Sequence, residues 1–270
     1  MGKNISRRLK LNRLSNTRDI GGIVTAEGAG IVKNRLFRSG QLYFADADDI
    51  ACLSSMEIKL IFDFRSAPEQ KEKPDPRIGE ALHINMPIVE DVTAGISRDQ
   101  KSDVNAFDAV IRNCAEDPDF GIRYMADTYL QLAKNDFCKR QYGSFLRQIL
   151  EQEEGAVLWH CTAGKDRAGI AAVLIEEILG VHRDDIYEDY LATNEYLEPE
   201  IDRIMVMLGK KMNIDGAEKG IRDFFGAREE YLRAVYRIMD KEYGGAACYI
   251  RDALNFSEND QRRLRERYLI

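Results

Sequence analysis

Residues 156–170, AVLWHCTAGKDRAGI, crowd an apolar strand, a tight turn and the start of an apolar helix into one short stretch. Ala156-Val157-Leu158-Trp159 is long enough for one buried strand. Ala168 to Leu179, unbroken by Gly or Pro from Ile170 onward, reads as a buried helix. A chain built this way sets a strand end against a helix N-terminus, with Gly164 in the connecting loop. Successive backbone N–H groups then point into the loop and the helix dipole adds partial positive charge. Together they make a cradle for a phosphate-sized anion.

Cys161 and Arg167 bracket five residues of that loop, a C-x5-R spacing. The spacing alone has little weight, since Cys161 read by itself is equally an inert thiol packed at a strand end. His160 directly before it, Ala163-Gly164 inside the loop, and strand and helix patterns on the correct sides favour a reactive thiol. The field that holds a phosphate also favours a thiolate. The chemistry that needs these parts is phosphoryl transfer through a cysteine. Sγ of Cys161 would attack phosphorus in line, Arg167 would grip two equatorial oxygens with its planar fork, and amides from Thr162 through Ala163, Gly164, Lys165 and Asp166 to Arg167 would hold the redistributing charge. A carboxylic acid would protonate the leaving alcohol and water would then cleave the thiophosphate, with no metal or other cofactor needed. The ATP-type loop G-x4-G-K-[ST] is absent from the sequence.

A formal charge of −7 argues against nucleic-acid binding, so positive potential for a phosphate must be concentrated locally, as Lys165 and Arg167 would do. No stretch approaches a membrane span, and the basic N-terminus has no apolar signal region. Residues 1–6 fit a myristoylation pattern, which is short enough to discount. The five cysteines are scattered and zinc-ligand spacing is missing. This suits a reducing cytoplasm, with Cys52, Cys114, Cys138 and Cys248 as packing residues.

Along the chain, 16–40 reads as Gly-rich turns and short strands. Strands are expected at 59–64, 81–86 and 156–160, and helices at 104–116, 119–134 and 137–152. From Arg183 onward nearly everything reads as helix, interrupted near Gly209, Gly216, Gly226 and Gly244-Gly245. No repeat or linker divides the chain, so one domain over 1–270 is expected. Alternating strands and helices predict an α/β fold, with a central, mostly parallel sheet flanked by helices. Ligands of such sheets bind at the carboxyl ends of the strands, which gives Asp63, Arg65, Glu90 and Asp91 access to Cys161.

HCTAGKDR at 160–167 resembles the signature of a bacterial tyrosine-phosphatase family with lipid-phosphatase members. NTRDIGG at 16–22, RLFRSGQL at 35–42, IFDFRSAPE at 61–69, YLATNEY at 190–196 and the tail from 242 are similar to further blocks of that family. The resemblance implies a dual-specificity-phosphatase-like fold with a helical C-terminus and a helical lid over roughly 195–225. It implies action on phosphotyrosine, sometimes phosphoserine or phosphothreonine, and often phosphoinositides, in a peptide, protein or lipid substrate. By match, Cys161 is the nucleophile and Arg167 the clamp. Lys165 is tied to phospholipid preference and Asp166 to catalysis.

Two positions depart from the family. Ala168 stands where relatives usually carry Thr or Ser, whose hydroxyl assists thiolate departure, and Thr17 replaces a Phe. Asp166 is the first candidate for the acid, against an outward carboxylate that neutralises Lys165 or Arg167. Glu90 and Asp91 are rim alternatives. Asp63 with Arg65, and Arg18 with Asp19, read as structural braces, and His160 as an orienter of the loop turned away from substrate. Two other readings stay open: a rhodanese-like sulfurtransferase, and a slow phosphate-reading module that Ala168 would favour.

Overall fold

In the computed structural model, residues 7–90, 104–211 and 213–270 are described. Five strands form one sheet in the order β1-β2-β5-β3-β4. They are β1 (Arg18–Asp19), β2 (Leu36–Ser39), β3 (Ile58–Asp63), β4 (Leu82–Asn85) and β5 (Ala156–His160). Only β1 runs antiparallel to its neighbour; β2, β5, β3 and β4 are parallel. The expected strands appear within a few residues of their predicted limits. Every residue of β5 is buried, as a central strand covered on both faces requires.

Register decides where the site can form. Ser39 and Asp63 both pair with His160, and Asp63 pairs with Asn85. The carboxyl ends of four parallel strands therefore stand level, with Cys161 following the central one. Side-chain alternation splits the core in two: Val157, Trp159, Phe62 and Leu36 point to the larger apolar cluster, and Ala156, Leu158, Ile61 and Phe37 to the smaller.

The smaller cluster takes in Leu53 of α1 (Ala47–Ser54); α2 (Ala67–Glu72) follows β3 directly. The larger side is built from α3 (Val104–Glu116), α4 (Phe120–Lys134), α5 (Asp136–Glu151), α6 (Arg167–Leu179), α7 (Arg183–Lys211), α8 (Glu218–Phe225), α9 (Glu229–Tyr243), α10 (Ala246–Asp252) and α11 (Glu258–Tyr268). In α6 every residue except Glu177 is buried, and Gly180 at φ 78° ends it in the left-handed conformation.

The first expected break comes two residues beyond its glycine: Gly209 lies inside α7, which ends at Lys211. A helical glycine costs only about 1 kcal/mol, and the neighbouring Met205 and Leu208 are buried. The other breaks come at Gly216, with φ 79°, at Gly226, and at Gly244-Gly245, where positive φ removes the chain from helical geometry. Residues 195–225 thus comprise the second half of α7, a connection and α8. No helix among the described residues is long and apolar enough to cross a membrane.

The crossing of α4 and α8 is unusually close because glycines face each other there. A Cβ at Gly121 would lie 2.2 Å from Gly220 O, a backbone atom that cannot step aside. Gly121→Ala should lower stability by about 1–3 kcal/mol through overpacking. Denaturant unfolding reads this directly, and an unchanged midpoint would mean that the helices have room to separate.

Candidate active site

The loop between β5 and α6 is held from outside by its carbonyl oxygens. Gln41 N donates to Thr162 O at 3.1 Å, Asn16 Nδ2 to Ala163 O at 2.9 Å and an Arg38 Nη to Gly164 O at 2.8 Å. A trans peptide places its N–H opposite its carbonyl. Drawing these three oxygens outward therefore turns the N–H groups of Ala163, Gly164 and Lys165 towards the loop's centre. Gly164 has φ 67°, and a Cβ there would meet Ser39 O at 2.5 Å, so this position requires glycine twice over.

Arg167 opens α6 and is fully buried. Its two terminal nitrogens donate to Glu69 Oε2 at 2.8 Å and Oε1 at 3.0 Å, a bidentate pair. It also reaches Thr162 Oγ1 at 3.1 Å and Phe64 O at 3.3 Å. Glu69 is fixed by its own helix start: Ser66 N and Oγ donate to its Oε2, closing a capping box at α2, and Thr162 Oγ1 donates to its Oε1 at 2.5 Å. Burial opposes the charged form of Glu69. The Arg167 charge and these hydrogen bonds outweigh it and hold the carboxyl well below the usual glutamate range.

Beneath the loop, Asp189 of α7 gathers three arginines. Arg7 lies 2.6 Å away, Arg18 3.1 Å and Arg38 3.0 Å. Burial works against this carboxylate, but the three guanidinium charges keep it far below the usual aspartate range. Arg18 also donates to Asn16 Oδ1, so it braces the loop through the residue that holds Ala163. Its sequence neighbour Asp19 does something different. It accepts from Gly21 N and Asn34 N, each at 2.7 Å, and staples the turn of residues 20–34 rather than the loop.

On the other flank, Arg65 bonds both oxygens of Asp63, at 2.9 and 2.7 Å, and Asp75 at 2.8 Å. His160 Nε2 lies 2.9 Å from Asp75 Oδ2, at ion-pair distance without hydrogen-bond alignment. Burial lowers the His160 pKa, yet Asp75 and Asp63 together raise it above the ordinary value. Asp63, Asp75 and His160 bring possible metal-ligand atoms within 4.8 Å of one another. The Arg65 guanidinium already bonds both carboxylates, so a metal ion there would have to share them with a fixed cation. A cavity of about 330 Å³ lined by Asp63, Arg65, Asp75, His83 and Asn85 opens beside this cluster.

Cys161 directly follows β5 and is 1 % exposed. Burial pushes the Cys114 and Cys138 thiols up to about 11, which leaves them protonated packing groups. Asp166 is 4 % exposed; Tyr129 Oη donates to its Oδ1 at 2.8 Å, and Lys165 Nζ lies 3.3 Å from the same oxygen. It therefore turns inward. Lys165 is buried as well, with Nζ donating to Phe224 O and Gly226 O at 2.9 Å each, the carbonyl end of α8. Ala168 is buried against β5, where Trp159 Nε1 donates to its carbonyl at 3.0 Å. Thr17 Oγ1 and Ser39 Oγ share a buried hydrogen bond of 2.7 Å. Glu90 is exposed and near Cys138, and Asp91 lies outside the described residues.

Glu69, Asp75, Arg38, Asp189 and Tyr129 are the partners that sequence reasoning left out. Ser66-Ala67-Pro68-Glu69 does carry the S-x-x-E capping signal, which could have marked Glu69 as an ordered carboxylate. The others have no local signature.

A sequence profile of the tyrosine phosphatase family matches residues 9–270. A Cupriavidus necator protein bearing a tyrosine-protein phosphatase name is 31% identical over 265 residues, which span 97% of this chain and 88% of that protein. The triple specificity protein phosphatase of Mycobacterium tuberculosis is 28% identical over 256 residues, spanning 88% of this chain and 91% of its own length. A tyrosine-protein phosphatase of Nostoc commune is 29% identical over 240 residues, covering 84% and 71% respectively.

The depressed Glu69 and Asp189 carboxyls make stability depend on pH with a definite sign. Their contribution is complete above the unfolded-state values and is lost as pH falls towards the folded ones. The unfolding free energy should therefore drop as pH is taken below about 4.5. Glu69→Gln should lose about 3 kcal/mol at neutral pH and show a flatter acid slope in urea titrations. An identical slope in the variant would contradict the ion pair.

Proposed function

Since this chain belongs to the tyrosine phosphatase family, we propose that it hydrolyses phosphate monoesters through a phosphocysteine at Cys161 without a metal ion. The observation that carries this reading is the bidentate anchoring of Arg167 by Glu69 on the same closed loop that bears Cys161. A guanidinium so fixed has a set plane, and a phosphate would reach it by displacing its bonds to Thr162 Oγ1 and Phe64 O.

In the first step Sγ of Cys161 forms a bond to phosphorus as the ester P–O bond breaks, and Asp166 passes its proton to the leaving oxygen. In the second, water attacks the phosphocysteine, the Asp166 carboxylate takes a proton from it, and the thiolate departs. Ala168 offers no hydroxyl to assist that departure, which slows the second step. Phosphotyrosine is the primary substrate, with phosphoserine, phosphothreonine and phosphoinositides as further ones. The triple-specificity name of the mycobacterial relative favours more than one class. Lys165 is engaged by the α8 carbonyls, so its use on a second phosphate requires those bonds to open. A reducing, cytoplasmic setting suits a thiol nucleophile.

Steady phosphate release from p-nitrophenyl phosphate should survive a chelator and vanish in Cys161→Ser. Arg167→Lys should cost about a hundredfold or more in rate, because a point charge cannot replace the fork; near-normal turnover would refute the clamp. A single burst of about one equivalent, without turnover, would favour a module that holds its phosphate.

A further inference from the structure

We infer that Tyr129 is a positioning residue for the reaction: its hydroxyl fixes Asp166 through Oδ1, so that the transferable proton is carried on Oδ2. This rests on the proposed role of Asp166 as the acid.

Asp166 occupies the cap position before α6, where an aspartate ordinarily folds back onto the first helical amides. It makes no such bond. Its carboxylate is instead turned to Tyr129 of α4, whose Oη donates to Oδ1 at 2.8 Å, with Lys165 Nζ 3.3 Å from the same oxygen. Among the described residues these contacts all fall on Oδ1 and none on Oδ2. A carboxyl group whose one oxygen accepts a hydrogen bond and faces an ammonium carries its proton, in the acid form, on the other.

The direction of the donor chain is also fixed. Tyr190 of α7 donates to Tyr129 Oη at 2.7 Å, which leaves the Tyr129 proton for Asp166. Both tyrosines are fully buried, and burial followed by the nearby Asp166 charge pushes their ionisation well above the ordinary range. Tyr129 therefore remains a neutral donor and transfers no proton itself. The charged and titratable groups facing Asp166 are Lys165 and Arg167 from its own loop, Tyr129 from α4, Tyr190 from α7 and Tyr231 from α9.

The test compares Tyr129→Phe, Tyr190→Phe and Asp166→Asn on p-nitrophenyl phosphate and on a phosphoserine peptide, whose alkoxide leaves poorly. Removing a donor to the carboxylate favours its protonated form and frees its orientation. Tyr129→Phe should then move the alkaline limb of the kcat/KM profile up by about half a pH unit, and lose about fivefold more on the peptide than on the aryl ester. Tyr190→Phe, which leaves Tyr129 in place, should shift the limb the same way by less, and it carries the test if Tyr129→Phe melts early. Equal losses on both substrates with an unmoved limb overturn the inference. If Asp166→Asn loses the peptide selectively while both tyrosine variants are flat, only the positioning role falls. If Asp166→Asn spares both substrates, the acid assignment falls and the inference with it.

Discussion

The proposed phosphate clamp, Arg167, is held still by a carboxylate. Glu69 sits against it in a fully buried bidentate pair, although a negative charge so near the proposed phosphate site would by itself repel the ligand. The conflict is resolved by distribution. Glu69 accepts from Arg167, Thr162 and Ser66 together, so its charge is spent on donors that are themselves part of the loop and of α2. The plane of the Arg167 guanidinium is thereby set by Glu69, Thr162 and Phe64, and a phosphate would have to exchange for some of these bonds. Removing one member of such a pair leaves an uncompensated buried charge, so the loop and the start of α2 stand or fall together.

The same logic operates one layer down. The chain carries a net charge of −7, yet Arg18, Arg38 and Arg167 are fully buried around the loop and Lys165 nearly so. Each of these cations has a buried acid beside it: Asp189 against Arg18 and Arg38, Glu69 against Arg167, and Asp166 3.3 Å from Lys165. The arginines are also mechanical: Arg38 ties Gly164 to Asp189, and hence the loop to α7.

What could be seen in the sequence was what lies close together along it. β5, the loop and α6 are contiguous, and their apolar runs and Gly164 state their geometry directly. The strand at 59–64 is legible because a buried parallel strand reads as a short apolar run, whereas β4, LHIN at the sheet edge, has no buried residue and is marked by its flanking loop residues instead. α7 runs two residues past Gly209 because a lone glycine weighs little once its helix is packed. Asp19 and Arg18 are adjacent, yet one staples a turn and the other a carboxylate 171 residues away. Arg38 and Asp189 stand 151 residues apart and Tyr129 and Asp166 37. No periodicity or spacing encodes such pairs; only the register of the sheet and the crossing of α4 and α7 over it bring them together. Asp75 was hidden for a similar reason, in a proline-flanked loop that gains meaning only beside His160.

The central claim is that phosphorus passes through a covalent bond to one sulfur. Rapid acid quenching of the enzyme during turnover of an aryl phosphate, followed by peptide mass mapping, tests it most directly. The account predicts a single phosphate on the peptide containing Cys161, rising before product phosphate reaches its steady rate. Phosphate release with that peptide unmodified at every time point would contradict it.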